Sequence, residues 1–187
     1  MTEAGLFFAY YESPIGRIEL RGSEAGLSGL DFVAETASGP AGRFETRPAA
    51  KSSPARSSAR TRPWSPHGPL TGPLADALTQ LDEYFRGVRT SFSVKLDLHG
   101  TPFQKQAWAK LLEVGFGRTT TYKELAAALG RPAATRAVGG ANHRNPVSII
   151  VPCHRVLGSD GRLTGYGGGL WRKEWLLRHE GRDGLFV

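Results

Sequence analysis

The chain contains one cysteine, Cys153, in 187 residues. A single thiol can form neither an internal disulfide nor the multi-cysteine cage of a structural zinc site. Packing and hydrogen bonds must therefore hold the fold, and a chain of this length can bury a core as one large domain or two small ones. We expect a protein without covalent or metal cross-links, in a reducing compartment such as the cytoplasm.

The sequence contains no signal for secretion or membrane insertion. Its first residues lack the basic region and long apolar core of a signal peptide. No apolar run approaches the roughly 18 residues of a membrane span. We expect a soluble cytoplasmic protein with no membrane partner.

Positive charge is concentrated in the second half of the chain. Residues 1–100 contain 11 Lys and Arg against 11 Asp and Glu, whereas residues 101–187 contain 13 against 6. A basic region attracts polyanions, but a solvated basic surface without a partner has the same composition. A DNA-binding shape is needed to choose between these alternatives.

The first 98 residues predict a small β-rich domain. Apolar and aromatic runs at 6–11, 16–20 and 26–33 are separated by turn residues, as in a β-meander. The segment 34–70 has too few apolar groups to form a core, and we interpret it as a mobile loop. An amphipathic helix then follows Pro73, ending before Gly87.

Helix start signals are clear in the second half of the chain. Capping boxes begin at Thr101 and at Thr121, with Gln104 and Glu124 three residues later. A further helix is predicted over 132–143, directly after the glycine that ends the helix before it. Two short helices joined by a tight glycine-containing turn indicate a helix-turn-helix.

The second helix of this motif carries small side chains. Reading base edges in the major groove requires long polar residues, whereas here Arg136 is the prominent projection among alanines and glycines. Small residues let the backbone approach a narrow minor groove, and an inserted Arg can occupy the space of an extruded base. The alternative is that the small residues only pack this helix against its neighbour.

Cys153 follows an apolar run and precedes basic groups. The run 147–151 predicts a buried strand that delivers Pro152-Cys153-His154-Arg155 to the end of the core. Free cysteine is most often an inert buried hydrophobe. Neighbouring His or Arg can lower the pKa of a thiol from about 8.5 to between about 3.5 and 7.5, so His154 and Arg155 are candidate activators.

A glycine-rich loop at 165–169 precedes a helix predicted over 170–179. The loop lacks the Lys of a phosphate-binding loop. Its glycines let backbone amides approach a flat ligand, with Tyr166 covering a ring face, and a simple mobile turn is the alternative.

Together these motifs resemble the O6-alkylguanine-DNA alkyltransferases, also called methylated-DNA-protein-cysteine methyltransferases. The resemblance covers about 101–181. It rests on Pro152-Cys153-His154-Arg155, Arg136-Ala137-Val138-Gly139-Gly140-Ala141, Asn145-Pro146, Tyr166 with Gly168-Gly169-Leu170, and Lys173-Glu174-Trp175-Leu176-Leu177. It implies an α/β (α+β) fold in two domains. Residues 1–98 form a small β-sheet with a helix, similar to ribonuclease H, and residues 99–187 form a mostly helical domain with the helix-turn-helix and the active-site cysteine.

The resemblance implies a role for each of five site residues. Cys153 is the nucleophile and alkyl acceptor, and His154 removes its proton through a water. Glu180 orients His154, Tyr122 donates a proton to the departing guanine, and Asn145 supports the turn that joins the DNA-binding helix to the cysteine strand. From the sequence alone, Glu180 has the alternative of a solvated helix end and Tyr122 that of a capping residue.

The resemblance also implies the surfaces that meet DNA and the base. Arg136 replaces the flipped base, and the DNA contacts around it come from Ala134, Thr135, Ala137 and Gly139. The alkylated guanine is held by Val156, Tyr166 and Gly167.

Two positions depart from the family pattern. Gly167 stands where several members carry Ser, so only its backbone amide can bond a ligand, and Thr135 is bulkier than the Ala often found beside the Arg. Some members bind zinc in the N-terminal domain through Cys and His ligands. This chain has no cysteine there, so we expect no metal.

The implied function is DNA repair by irreversible transfer of a methyl or other alkyl group from O6-alkylguanine to Cys153, in a single turnover and without a cofactor. Repair of O4-alkylthymine stays open. We expect a monomer that binds the minor groove of double-stranded DNA containing alkylated bases and flips the damaged base.

Two other classes of protein are alternatives. One is a noncatalytic DNA-binding protein, either a regulator or a lesion sensor, against which Cys153 and the small residues of the second helix argue. The other is a Cys-His hydrolase, in which a basic helix-turn-helix would have no purpose.

Overall fold

The computed structural model describes residues 6–33 and 71–181. The loop interpreted over 34–70 lies outside the described residues. Strands β1 (Phe7–Ser13), β2 (Gly16–Ser23) and β3 (Gly26–Phe32) form an antiparallel sheet in the order β1-β2-β3, which confirms the predicted meander.

The first helix, α1 (Gly72–Phe85), packs against all three strands of this sheet. The cross-strand neighbours Ala9, Leu20 and Leu30 are fully buried on the sheet. The helix meets them with a stripe at the spacing of one helical face, formed by Leu74, Ala77, Leu78, Leu81 and Tyr84. The core of the N-terminal half is thus a sheet face covered by one helix.

The second half is mostly helical. Its helices are α2 (Pro102–Leu112), α3 (Tyr122–Ala128), α4 (Thr135–His143) and α5 (Leu170–His179). Short strands β4 (Thr120–Thr121) and β5 (Val156–Leu157) pair in parallel. The predicted α/β (α+β) class is confirmed. In the part of the chain that the structure describes, we find no helix with the length and hydropathy to cross a membrane.

Both predicted capping boxes are present. The Thr101 hydroxyl accepts from the Gln104 amide at 3.3 Å, while the Gln104 side chain accepts from the Thr101 amide at 2.8 Å. Thr121 and Glu124 make the same pair of bonds at 3.1 and 2.7 Å. The helix predicted over 132–143 is divided, because Pro132–Ala134 form a 3₁₀ turn ahead of α4.

The strand predicted over 147–151 is wrong. Only Val147 makes a bridge, to Leu30 of β3, and residues 148–151 turn instead, with Ile149 at a φ of +71°. The Asn145 side chain closes this turn, because its amide donates to the Val151 carbonyl at 2.8 Å and its oxygen accepts from the Val147 amide at 3.1 Å. The apolar run indicated burial, which is observed, rather than an extended backbone.

A backbone hydrogen bond joins the two halves at the outer side of β3, where the Leu30 amide donates to the Pro146 carbonyl at 2.8 Å. On the same strand the Leu27 amide donates to the Lys95 carbonyl at 2.8 Å, within the N-terminal half. The turn that precedes Cys153 is therefore attached to the N-terminal sheet.

Replacement of Thr101 by Ala tests the contribution of the first capping box. We expect the free energy of unfolding to fall by about 1 kcal/mol, because the Gln104 amide loses its hydroxyl acceptor. Urea denaturation followed by circular dichroism measures the change. The matched control is Thr71→Ala, since Thr71 is the N-cap residue of α1 but makes no side-chain capping bond. Equal losses at the two positions would contradict the assignment.

Candidate active site

Cys153 begins a 3₁₀ turn, Cys153–Arg155, that leads into β5. The residue is 4% exposed. Its amide donates to the Val151 carbonyl at 2.8 Å, and its carbonyl accepts from the Asn142 side chain of α4 at 3.4 Å. Backbone bonds on both sides therefore hold the cysteine in place, and one of them comes directly from the second helix of the helix-turn-helix.

The surroundings of the Cys153 thiol differ from those that its sequence neighbours suggested. Burial raises the pKa of Cys153 above its ordinary value. The groups that oppose this effect are Asn145, the Lys173 charge and Ser148, whereas His154 and Arg155 both bond to Glu180. His154 and Arg155 are thus not among the groups that lower the thiol pKa.

Glu180 accepts hydrogen bonds on both carboxylate oxygens. His154 Nε2 donates to Oε1 at 3.0 Å. Arg155 bonds in a fork, with Nη2 to Oε1 at 2.8 Å and Nε to Oε2 at 2.9 Å. Burial by itself would raise the pKa of Glu180, but the hydrogen bonds from His154 and Arg155 and the charge of Arg155 outweigh it and hold that pKa far below its usual value.

This arrangement orients the His154 ring. The side chain is fully buried, and Nε2 is committed to the carboxylate as a donor. Nδ1 has no hydrogen-bond partner among the described residues, which leaves a lone pair able to accept a proton. Burial lowers the pKa of His154, against the raising effect of Glu180, so the imidazole is neutral at pH 7.

Tyr84, from α1 in the N-terminal half, is a further donor to the Glu180 carboxylate. Its hydroxyl donates to Glu180 Oε1 at 2.8 Å, and its side chain is fully buried. Burial and the Glu180 charge raise its pKa well above the usual value, which keeps it protonated as a donor. The sequence reasoning missed Tyr84, although its position three residues after Leu81 places it on the buried face of α1.

Lys173 of α5 is the second residue that sequence reasoning left without a role. It is fully buried, and its Nζ donates to the Val156 carbonyl at 2.5 Å and the Thr164 carbonyl at 2.6 Å. Burial lowers its pKa to about 8, against the influence of Cys153. Lys173 therefore anchors the segment after the cysteine and places a positive charge near the thiol.

The expected pocket residues lie on two segments. Val156 is fully buried at the start of β5. Tyr166 is half-buried with its hydroxyl enclosed, while Gly167 is exposed. Burial raises the pKa of Tyr166 well above its usual value, and the Cys153 charge adds to the effect. A charge on Cys153 is thus felt at the Tyr166 hydroxyl.

Tyr122 is the first residue of α3, and its side chain lies between α4 and the glycine-rich loop. A Cβ on Gly139 of α4 would lie 3.9 Å from its ring, and a Cβ on Gly165 would lie 3.9 Å from its hydroxyl. The side chain is half-buried, and its backbone also begins the second capping-box helix. The structure therefore places the Tyr122 hydroxyl beside the glycine-rich loop, close to α4.

Helix α4 has one buried face and one exposed face. Val138, Ala141 and Asn142 are buried against the neighbouring helices, whereas Arg136 and Ala137 are exposed. Ala134, Thr135 and Gly139 are partly exposed. Some small residues of α4 thus pack against neighbouring helices, and others leave a flat surface around Arg136.

No cluster of three or more His, Cys, Asp or Glu side chains suited to a metal occurs within residues 6–33 and 71–181.

Comparison with known proteins agrees with this geometry. A model described as "6-O-methylguanine DNA methyltransferase, ribonuclease-like domain" matches residues 6–98, and one described as "6-O-methylguanine DNA methyltransferase, DNA binding domain" matches residues 102–182. The fold and site thus define a two-part DNA-binding protein with a buried cysteine. The chain belongs to the 6-O-methylguanine DNA methyltransferase family.

Individual relatives cover nearly the whole chain. A methylated-DNA--protein-cysteine methyltransferase of Methanosarcina barkeri is 43% identical over 94% of this chain and 97% of its own length. One from Mycobacterium leprae is 44% identical over 90% and 88%. A crystal structure of Mycobacterium tuberculosis O6-methylguanine methyltransferase, 40% identical, covers 94% of this chain and 93% of its own with a TM-score of 0.72. A structure of the M. tuberculosis protein in complex with DNA is 38% identical, covers 95% and 98%, and has a TM-score of 0.71.

Replacement of Tyr84 by Phe tests the hydrogen bond from the Tyr84 hydroxyl to the Glu180 carboxylate. We expect the free energy of unfolding to fall by about 1.5 to 3 kcal/mol, because a buried hydrogen bond to a charged group is lost while the ring is kept. Chemical denaturation measures the loss. Tyr10→Phe is the matched control, since the Tyr10 hydroxyl also donates to a carboxylate, that of Glu19, but in a more accessible position. A loss no greater than that of the control would rule out an energetic role for the Tyr84 hydroxyl.

Proposed function

We propose that this protein repairs O6-alkylguanine in DNA by transferring the alkyl group to Cys153. The observation that carries the proposal is the buried Cys153, His154 and Glu180 arrangement, in which His154 Nδ1 keeps a free lone pair. It occurs in a chain whose relatives are named for methyl transfer from DNA to a protein cysteine.

The transfer is a displacement at the alkyl carbon. A thiolate is the reactive form, and burial disfavours it, so the proton must leave as the reaction begins. His154 Nδ1 takes the Cys153 proton through a water, and Glu180 stabilises the imidazolium that results. The sulfur–carbon bond forms as the carbon–oxygen bond to guanine breaks, and the electron pair of that bond goes to the base. Tyr122 donates a hydrogen bond or proton to this leaving group.

The product is a thioether on Cys153 and an unmodified guanine. No co-reactant enters this balance, so we propose that no cofactor is needed. A thioether has no ready leaving group, and one protein molecule repairs one lesion. Repair of O4-alkylthymine requires the same displacement and is left to experiment.

The base must leave the duplex to reach a buried thiol. We propose that Arg136 fills the space of the flipped nucleotide while Ala134, Thr135, Ala137 and Gly139 lie against the minor groove. The exposure of Arg136 on a helix with a flat outer surface supports this role. Asn142 and Asn145 then connect the DNA-binding helix to the cysteine turn.

The flipped guanine would be held by Val156, Tyr166 and the backbone of Gly167. The bonds from Lys173 to the Val156 and Thr164 carbonyls support this proposal, because they hold the two segments that carry these residues. We propose the domain division 1–98 and 99–187. We also propose a monomer acting on double-stranded DNA, and a free thiol nucleophile suits the cytoplasm.

Cys153→Ala tests the acceptor. We expect transfer to be lost while DNA binding is kept, because the side chain lies in the core and not on α4. Intact-protein mass spectrometry after incubation with O6-methylguanine DNA should show a single added methyl on the wild-type peptide containing Cys153, and none on the variant. Methylation of the variant, or several repaired lesions per wild-type molecule, would refute the proposal. Binding without any mass shift would favour a lesion sensor.

The pH dependence of the transfer tests the role of His154. At saturating methylated DNA, we expect the rate constant to hold from pH 8 down to about 6.5, the ordinary pKa of His, and to fall only below it, because burial lowers this pKa. In Glu180→Gln the charge that raises the His154 pKa is removed. Its acidic limb should therefore move to lower pH, with a reduced plateau. A limb that moves to higher pH would exclude His154 as the base.

A further inference from the structure

The glycine-rich segment 165–169, called the pocket loop below, is held by a contact outside the sites considered so far. Arg172, in the first turn of α5, donates from Nη1 to the Gly168 carbonyl at 2.7 Å. Its Nε donates to the Ile15 carbonyl at 2.7 Å, in the turn between β1 and β2. One guanidinium therefore connects the pocket loop to the N-terminal sheet.

Aromatic contacts reinforce this connection. The guanidinium carbon lies 4.5 Å from the ring centroid of Phe32, at the end of β3, and 4.5 Å from that of Trp171. The Phe32 ring in turn meets the Tyr166 ring edge-on, with centroids 6.4 Å apart. A Cβ on Gly168 would lie 2.7 Å from a Phe32 ring carbon, so the loop approaches this ring as closely as only glycine allows.

We propose that Arg172 and Phe32 are positioning residues for the alkyl transfer, through which the N-terminal sheet sets the position of Tyr166 over the flipped base. This inference rests on the proposed function, since it concerns the same pocket. Neither residue touches the reacting atoms. Both act on the loop that would cover the guanine.

The need for such an anchor follows from the composition of the loop. Four of its five residues are glycines, which lose the most conformational freedom when they are ordered. The loop has an internal bond from the Gly169 amide to the Tyr166 carbonyl at 2.9 Å, but the Gly168 carbonyl is bonded from outside by Arg172. Without the anchor, the competent loop conformation would be a smaller fraction of the ensemble, and the transfer rate would fall by that fraction.

Arginine suits this task because its planar fork donates in two fixed directions. Lysine keeps the charge but donates from a single point, so it cannot reproduce both bonds in the same geometry. The electrostatic contact with the Phe32 ring would remain with lysine. A graded series at position 172 can therefore separate the two contributions.

The experiment compares Arg172→Gln, Arg172→Lys, Phe32→Leu and the Arg172→Gln, Phe32→Leu double variant in the full chain. The control is Arg178→Gln, which removes a charge from the same helix where it pairs with Glu174 on an exposed face. Three quantities are measured with duplex DNA carrying O6-methylguanine. They are the single-turnover rate constant at saturation, the dissociation constant, and the moles of methyl transferred per mole of protein. Hydrogen exchange of the 165–169 amides is measured without DNA.

We expect Arg172→Gln and Phe32→Leu each to lower the rate constant about tenfold, with an intermediate value for Arg172→Lys. The double variant should fall little further, because both changes release the same loop. The dissociation constant and stoichiometry should stay within twofold of wild type, loop exchange should accelerate, and the control should match wild type.

An unchanged rate constant in Arg172→Gln would overturn the proposal. So would a lower stoichiometry with an unchanged rate constant, because that result reports a loss of folded protein alone. If wild type transferred no methyl group, the proposed function would fail. Loop exchange would still test the anchor in that case, since unaltered exchange in Arg172→Gln would overturn it and faster exchange would support it.

Discussion

The Glu180 carboxylate is ionised inside the protein, and its position depends on donors from separate parts of the chain. They are the Tyr84 hydroxyl on α1, the Gly117 amide between α2 and β4, and the side chains of His154 and Arg155. An unpaired buried charge costs several kcal/mol, on the order of 3 to 5 when one partner is removed. The elements that provide these donors must therefore meet at Glu180 in the folded state. Gly117 shows how close they come, because its φ is +65° and a Cβ there would lie 2.8 Å from the Glu180 carbonyl oxygen.

The hydrogen bonds to Glu180 also orient the groups proposed to carry out the transfer. Because Glu180 accepts from His154 Nε2, the ring has one tautomer and one orientation, and Nδ1 is left as the basic nitrogen. Arg155 neutralises the carboxylate instead of the thiolate, which explains why a basic neighbour of Cys153 does not depress the thiol pKa. The N-terminal half contributes to this site through Tyr84, and it contacts the pocket loop through Phe32 and the Arg172 bond to Ile15. The sheet is thus part of the structure that surrounds the cysteine.

Local signals in the sequence were sufficient for most of the secondary structure. The capping boxes at Thr101 and Thr121 and the meander over 6–33 depend on neighbouring residues, and all are observed. The failure at 147–151 has a physical cause, since an apolar run reports burial and does not determine backbone direction. There Asn145 closes a turn with its side chain, and Ile149 takes a positive φ that no local preference predicts. Lys173 and Glu180 were also readable in part, because they share the buried face of α5 with Leu176 and Leu177.

The sequence by itself determined the helix starts, the strands of the meander, the lone candidate nucleophile and the resemblance of its motifs to one family, because each depends on residue types at short spacing. The tertiary structure decided which groups bond to one another. Only folding brings Tyr84 to Glu180, 96 positions later in the chain, and Arg172 to the turn at Ile15, 157 positions earlier. It also turned Arg155 toward a carboxylate and buried the thiol. Hydrogen bonds and desolvation depend on distance in space, which residue order along the chain does not specify.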